Sequence, residues 1–337
     1  MINNNLNIGA ALIVRNNQST IADTLNSIIP VCSQIVVVDT GSYDNTPQIC
    51  TRLGAEVYFF KWLDDFSAAR NYALKFLRTD WILSIDSDEQ LDWFSLARYS
   101  DIITDDTVGG ISLKIENFLD KEDLSNRSFH RYTRLFRNNL GFRYEGRVHE
   151  QISESIINSG LDIIESEIVI RHYGYQEVTE DKVKRNQELL LKDMMNSPND
   201  AWKIYHLAAA EFAGKNFAEA KAHFEQVVNS LELTTEQREI ASLRLAQIAL
   251  RDENFEIINK WTHFISNDTD REGFRKYILA TGYLIQKNFN KAYSLFQSEE
   301  VIMSSLVNKT QLKKIFSLLQ ASLRSDFKTE RSLQATF

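Results

Sequence analysis

Four short apolar runs set the strongest limit on what this chain can fold into. They read "IGAALIV", "QIVVVDT", "AEVYFF" and "WILSID", β-branched or aromatic and too short for stable buried helices. Stretches of helical spacing separate them. In "STIADTLNSII" the residues Ile21, Leu25, Ile28 and Ile29 share one face, and Ser19 or Thr20 is placed to cap the start, with Asp23 three residues after Thr20. "SYDNTPQICTRLG" carries Pro47 in its first turn and Gly54 past its end. "FSAARNYALKFLR" supplies a third helix. Alternation of this kind predicts an α/β domain, a Rossmann-like and mostly parallel sheet with covering helices. Ligands of such sheets bind beyond the carboxyl ends of the strands, so Asp39 and Asp86 are expected to face one crevice.

Past about residue 180 the strand signal ends. "TEDKVKRNQELLLKDMM" reads as an amphipathic helix and "NSPNDA" as a linker. A pattern then recurs: Leu207, Ala208, Ala220 and Phe224 return as Leu279, Ala280, Ala292 and Phe296 with their spacings kept. The turn "KNF" occurs at 215–217 and 287–289, and "ENF" at 253–255 marks a middle copy. These periods, 38 and then 34 residues, resemble those of tetratricopeptide repeats, whose small residues let paired helices pack closely. A chain of 337 residues is long enough for two domains. The expected division is 1–195, α/β, and 196–337, all-α repeats.

Composition narrows the partners. A net charge of −8 argues against a broad nucleic-acid face, which needs clustered Lys and Arg. Cys32 and Cys50 have no metal-ligand or CxxC spacing and read as thiols of a reduced, cytoplasmic protein. No run reaches the roughly 18 residues of a spanning helix. "MINNNLNIGAALIVRNN" has neither the basic start nor the cleavage site of a signal peptide.

Four stretches invite chemical readings. In "VVVDTGSYDNT", Asp39 ends a strand before a tight turn at Gly41; its carboxylate suits a base N–H or ribose hydroxyls, or equally an ordinary Asx turn. In "DDFSAARNYAL", Arg70 suits a diphosphate, or a surface pairing with Asp64 or Asp65. In "SIDSDE" the acids Asp86, Asp88 and Glu89 are crowded together, and like charges this close oppose one another's ionisation. A hard divalent cation bound through Asp86 and Asp88 would offset that repulsion, and a solvated acidic turn is the other reading. If strand geometry persisted, those two aspartates would point to the same side. "FRYEGRVHEQI" and "IVIRHYGY" place His149, Glu150 and His172 in loops beside Gly146 and Gly174, as acid/base groups, ligands or core histidines.

Taken together, "ALIVRNN", "IVVVDTGSYDNT", "DDFSAARN", "SIDSDE" and "EGRVHEQI" resemble, in order and spacing, the family 2 glycosyltransferases of the GT-A fold, over roughly residues 7–195. With its appended tetratricopeptide-like repeats the chain is similar in plan to the sublancin-type peptide S-glycosyltransferases. The resemblance implies an inverting transfer of a sugar from a nucleotide-sugar, most often a UDP-sugar, to a peptide, protein or glycan acceptor with Mg²⁺ or Mn²⁺. It implies that Asp39 contacts the uracil and Arg70 the diphosphate side. Asp86 would lie near ribose and metal, Asp88 would be the main metal ligand, and His172 would complete the metal or diphosphate contacts. Glu150 is the candidate base with His149 in reserve, and Lys182 and Arg185 would close over the diphosphate. The incompletely capped repeats are expected to form a homodimer or to dock the acceptor. Two other classes compete: a non-catalytic repeat adaptor with a decayed transferase domain, and a Mg²⁺-dependent nucleotidyltransferase.

Overall fold

The computed structural model describes residues 7–96, 105–118, 127–173, 180–195, 197–317 and 319. The chain divides into two compact units, Met1–Leu189 and Leu190–Phe337. The division falls a few residues before the expected 195/196 boundary, inside a helix.

The first unit begins as its periodicity predicts: β1 (Ile8–Val14), α1 (Ile21–Ile28), β2 (Gln34–Asp39), α2 (Thr46–Arg52), β3 (Glu56–Phe59), α3 (Phe66–Leu74) and β4 (Trp81–Ser84). β1 lies between β2 and β4, both parallel to it, and β3 is parallel to β2. Helices cover both faces of such a sheet, which explains why β1 is buried along nearly its whole length. Leu12, Ile21, Leu25, Ile28, Val37 and Leu83 are fully enclosed in its core, each stabilising the fold by about 1.5–3 kcal/mol relative to an exposed side chain.

The regular alternation stops at β4. The chain continues through β5 (Glu89–Leu91), α4 (Trp93–Leu96), β6 (Val108–Phe118), β7 (Arg127–Arg137), α5 (Ser153–Asn158) and β8 (Asp162–His172). The eight strands form one sheet in the order β3-β2-β1-β4-β7-β6-β8-β5. Pairings β4–β7, β6–β7 and β5–β8 are antiparallel, whereas β6–β8 is parallel. The sheet is therefore mixed, mostly parallel at its β3–β4 side.

Local differences from the expected pattern have plain causes. The anticipated capping box of α1 does not form: Thr20 occupies the N-cap without a side-chain cap bond, and its hydroxyl turns back to the Asn17 carbonyl. His172 was expected in a loop but ends β8, because the apolar run "IVI" before it pairs with β6. Gly174 lies outside the described residues. Cys32 and Cys50 are free thiols, and burial pushes the Cys50 thiol up to about 11.

α6 (Glu180–Met194) crosses the division, and the second unit is helical among its described residues. Its pairs are α7 (Ala201–Ala213) with α8 (Phe217–Val227), α9 (Thr235–Arg251) with α10 (Phe255–Trp261), and α11 (Thr269–Ile285) with α12 (Phe289–Phe296), followed by α13 (Glu299–Met303). The equivalent turns before α8, α10 and α12 place Lys215, Glu253 and Lys287 at φ of +64°, +51° and +56°. A side chain in this left-handed region is uncommon, so its recurrence marks the degenerate middle copy as a true repeat. Ala208, Ala246 and Ala280 are all fully buried at matching positions, as are Ala220 and Ala292. These are the small residues through which the paired helices approach.

Candidate active site

Strands β1, β2 and β4 end on one side of the sheet, and the loop 144–153 returns to that side. Between them lies a cavity of about 530 Å³ lined by residues of all these segments. Its wall includes Arg15, Thr40, Arg70, Asp86, Asp88, Arg134, His149, Glu150, His172 and Arg185. Most site residues expected from the sequence therefore converge here, although their partners differ from expectation.

Arg70 is a buried hub, not a surface residue paired with Asp64 or Asp65. The N-cap of α3 is Asp65, whose side chain accepts from the Ala68 amide, and this starts the helix so that Arg70 points inward with Ala69 and Ala73. Its guanidinium donates through Nη2 to Asp86 Oδ1 at 2.7 Å, through Nε to Glu150 Oε1 at 2.5 Å, and through Nη1 to Ser84 Oγ at 3.0 Å. Burial alone would lower its pKa, but the Asp86 and Glu150 carboxylates outweigh burial and hold it well above the ordinary value.

Asp86 receives a second arginine. Arg134 Nη2 donates to Asp86 Oδ2 at 2.8 Å and to Glu89 Oε1 at 3.0 Å. Burial favours the neutral form of Asp86, yet Arg134 and Arg70 overcome it and hold the carboxyl well below the usual range. Glu89 goes the other way: burial dominates, and its pKa is raised despite Arg134. The crowded acids of "SIDSDE" are thus offset first by two arginines.

The aspartates two residues apart do not share a direction. β4 ends at Ser84, and residues 87–88 form a turn closed by the Asp86 amide donating to Glu89 Oε2 at 2.8 Å. Asp86 faces Arg70 and Arg134, whereas Asp88 faces His172, with Oδ1 3.5 Å from Nε2. Burial disfavours a charged His172, but Asp88, followed by Glu89 and Asp86, reverses the balance and raises its pKa. Among the described residues no three His, Cys, Asp or Glu side chains gather into a metal-holding group. Asp88 and His172 remain as a two-residue pair at the cavity wall.

Asp39 ends β2 as expected but spends its carboxylate on its own turn. Ser42 donates to it through its amide, at 3.1 and 3.2 Å, and through Oγ at 2.5 Å. Gly41 at φ +111° makes this turn possible. The neighbouring Thr40, not Asp39, lines the cavity.

Glu150 and His149 lie in the loop between Tyr144 and Ile152. His149 sits at φ +55°, in the left-handed region, which costs of order 1–3 kcal/mol for a residue with a side chain. Burial pushes its imidazole below the ordinary value, with Glu150 opposing. Arg185 on α6 lies over the Phe66 ring, 5.3 Å from its centroid. Its pKa is lowered by burial and then by Arg15 across the cavity. Neither Arg15 nor Arg185 has an ion-pair partner among the described residues. The side chain of Lys182 lies outside the described residues.

Three contributors escaped the sequence reading: Arg134, Asn117 and Tyr144. Arg134 lies in the basic alternation "RYTRLFR" of β7, a signal for a strand but not for which arginine turns inward. Asn117, in β6, bridges two histidines, His172 Nδ1 and His130 Nδ1, each at 2.8 Å.

The mixed sheet with its cleft at the strand ends defines an α/β domain, and tetratricopeptide-like helical repeats follow it in the chain. Residues 10–163 match the family described as Glycosyl transferase family 2. A TPR repeat-containing protein of Synechococcus elongatus is 31% identical over 210 residues, covering 58% of this chain and 50% of that one. The SPbeta prophage-derived glycosyltransferase SunS of Bacillus subtilis is 23% identical over 284 residues, covering 81% of this chain and 66% of SunS. The chain spans half to about two thirds of the length of these curated relatives. Among solved structures, the mannosyltransferase PcManGT of Pyrobaculum calidifontis, in complex with GDP-Man and Mn²⁺, is 15% identical with a TM-score of 0.43, covering 83% of this chain and 87% of that one.

Proposed function

We propose that this protein is an inverting glycosyltransferase that moves a sugar from a nucleotide-sugar, with UDP as the nucleotide, to a peptide, protein or glycan acceptor. The observation that carries the reading is the distribution of charge around one cavity. Arg15 and Arg185, without ion-pair partners among the described residues, face the same space as the Asp88–His172 pair and the Glu150 carboxylate. Uncompensated guanidinium groups suit a diphosphate, which they can grip with several donors at once.

Asp88 and His172 would hold the divalent cation. One carboxylate and one imidazole are few ligands, but Mg²⁺ and Mn²⁺ commonly complete their shells with water and substrate phosphates. Asp86 does not fit that role, since both of its oxygens accept from arginines. When bound, the cation supplies Lewis-acid stabilisation of the charge that develops on the departing diphosphate.

The chain's own residues account for the rest. Arg70 and Arg134 fix Asp86 at the cavity floor, and Arg70 also orients Glu150 by binding Oε1. Oε2 is then the oxygen that takes the acceptor proton as the acceptor attacks the anomeric carbon, the bond to the diphosphate breaking in the same displacement. A single displacement inverts the anomeric centre and needs no covalent sugar–enzyme bond. Thr40 beside the Asp39 turn borders the base-binding end. The transferase unit carries the chemistry, and the repeats pair two copies of the chain.

The test is a screen of UDP-sugars with Mn²⁺, read as UDP release and followed by acceptor trials with the best donor. Metal-dependent UDP release supports the reading. Pyrophosphate release from a nucleoside triphosphate would replace it with nucleotidyl transfer. Absence of any nucleotide binding would leave the repeat adaptor. Sedimentation of the full chain as a monomer at micromolar concentration would remove the pairing.

A further inference from the structure

We propose that Asn117 is a positioning residue: it holds the His172 ring in its Nδ1–H form, so that the Nε2 lone pair faces Asp88 and the cation that the pair would hold. This rests on the cation site proposed above and assigns its geometry to a residue that never touches the ligand.

The sheet register builds the arrangement. On parallel strands β6 and β8, Asn117 is the direct partner of His172, and on the other side of β8 the partner of His172 is Glu89. The Asp88 carbonyl accepts from the Tyr173 amide at 3.1 Å, which brings the acidic turn against the end of β8. Asn117 is 1% exposed, and Phe118 and Tyr173 stack in the next register with centroids 5.0 Å apart. The amide is thereby shielded from water that would otherwise compete for it.

Hydrogen-bond chemistry then fixes the tautomer. Asn117 Oδ1 lies 2.8 Å from His172 Nδ1, and a carbonyl oxygen can only accept, so Nδ1 carries the proton. The amide nitrogen Nδ2 lies 2.8 Å from His130 Nδ1 and can only donate, so that ring accepts there. Two histidines thus read opposite ends of one amide, and turning it over would require both rings to exchange tautomers, His172 to Nε2–H and His130 to Nδ1–H. With Nδ1 protonated, a neutral His172 presents a lone pair to Asp88 Oδ1 at 3.5 Å. Lone pair against carboxylate is an unfavourable pairing that a cation between the two converts into ligation. Metal-ligating histidines commonly donate their other ring N–H to an oxygen acceptor in this way.

The test uses the full-length chain with ¹⁵N-labelled histidine. Long-range ¹H–¹⁵N spectra of the metal-free protein, at a pH where His172 is neutral, are expected to show His172 as Nδ1–H. Asn117→Leu is expected to shift His172 toward Nε2–H and to weaken Mn²⁺ binding in the presence of UDP by about 10–100-fold, read by electron paramagnetic resonance. Nε2–H in the unsubstituted protein overturns the proposal, as does a folded Asn117→Leu variant with unchanged tautomer and Mn²⁺ affinity. Should that variant fail to fold, Asn117→Asp decides. It keeps an acceptor toward Nδ1, so retained Nδ1–H and Mn²⁺ binding support the role, and Nε2–H refutes it. The tautomer is read without any sugar donor. Nδ1–H in a protein that transfers no sugar would sink only the transferase reading, whereas Nε2–H in an active transferase would sink only the role of Asn117.

Discussion

Arg134 donates to Asp86 at 2.8 Å although 48 residues separate them. The contact follows from one antiparallel pairing, in which β7 runs beside β4 with Leu135 opposite Leu83. Arg134 is one residue from that pair, and Asp86 lies just past the end of β4. The sheet therefore delivers a second cation to an aspartate that Arg70 already binds.

Replacing Asp86 by Asn leaves the buried Arg70 and the half-buried Arg134 undercompensated. Asp86→Asn should lower stability at pH 7 by about 1–3 kcal/mol, the cost of losing charged hydrogen bonds at a partly solvated ion pair. The folded-state pKa of Asp86 is depressed, so its contribution is complete above the unfolded value of about 3.9. That contribution is lost as pH falls from there toward the folded value. Urea midpoints of the two proteins should accordingly converge below about pH 3.9. An unchanged gap at pH 2.5 would show that the lost stability comes from packing instead of charge.

The two arginines facing each other across the cavity lead to a second expectation. Arg15→Ala and Arg185→Ala should each weaken UDP binding by about tenfold or more, the size of a charge-assisted hydrogen bond. Both losses should shrink as salt is raised. In the unliganded protein each substitution should be close to neutral for stability, because neither arginine has an ion-pair partner to lose among the described residues, and the repulsion by Arg15 that, after burial, lowers the Arg185 pKa is relieved. Calorimetry with UDP at two salt concentrations measures this. Equal UDP affinity in both variants would move the diphosphate away from this end of the cavity.

The limits of the sequence reading are themselves physical. β1, β2 and β4 were legible because a strand buried on both faces is a continuous apolar run. The repeats were legible because small residues recur at fixed spacing, and the middle copy survived through its "ENF" turn. β6 and β7 were not foreseen: "ISLKIENF" and "RSFHRYTRLFR" mix charge into every second or third position, as an antiparallel strand with one polar face does. The direction of Asp88 depended on the strand ending at Ser84, which a D-x-D spacing cannot reveal. Asp39 was found at the right strand end, but Ser42, three residues on, takes up its carboxylate. Asn117 gave no signal, since its role comes from the β6–β8 register.

Within the repeats, Gly273 tests how closely helices approach. A Cβ there would lie 2.0 Å from the Glu300 carbonyl oxygen and 2.6 Å from Ser304 Cβ, so α11 and α13 would have to separate. Gly273→Ala gains about 1 kcal/mol of helix propensity but should lose more through overpacking, of order 1–3 kcal/mol and occasionally more. Urea unfolding of the full chain should show a lower midpoint for the transition of the helical unit, with UDP binding unchanged. A raised midpoint would mean that the helices have room to spare.

Glu150 offers the most direct test of the chemistry. Its Oε1 is bound by Arg70 Nε and its side chain is 10% exposed, so the carboxylate is held in one orientation in the cavity wall. Glu150→Gln preserves size and can still accept from Arg70 through its amide oxygen, but cannot take a proton. Turnover should fall by about a hundredfold or more, in line with the loss of a general base. UDP binding should be retained, because the diphosphate end is built from Arg15 and Arg185 and Arg70 keeps Asp86 as its partner. His149→Ala separates the two neighbours: it removes an imidazole but leaves Arg70 and Glu150 paired, so it should retain most of its turnover. The opposite result, an active Glu150→Gln and a silent His149→Ala, would transfer the role of base to the histidine, whose pKa is already lowered by burial.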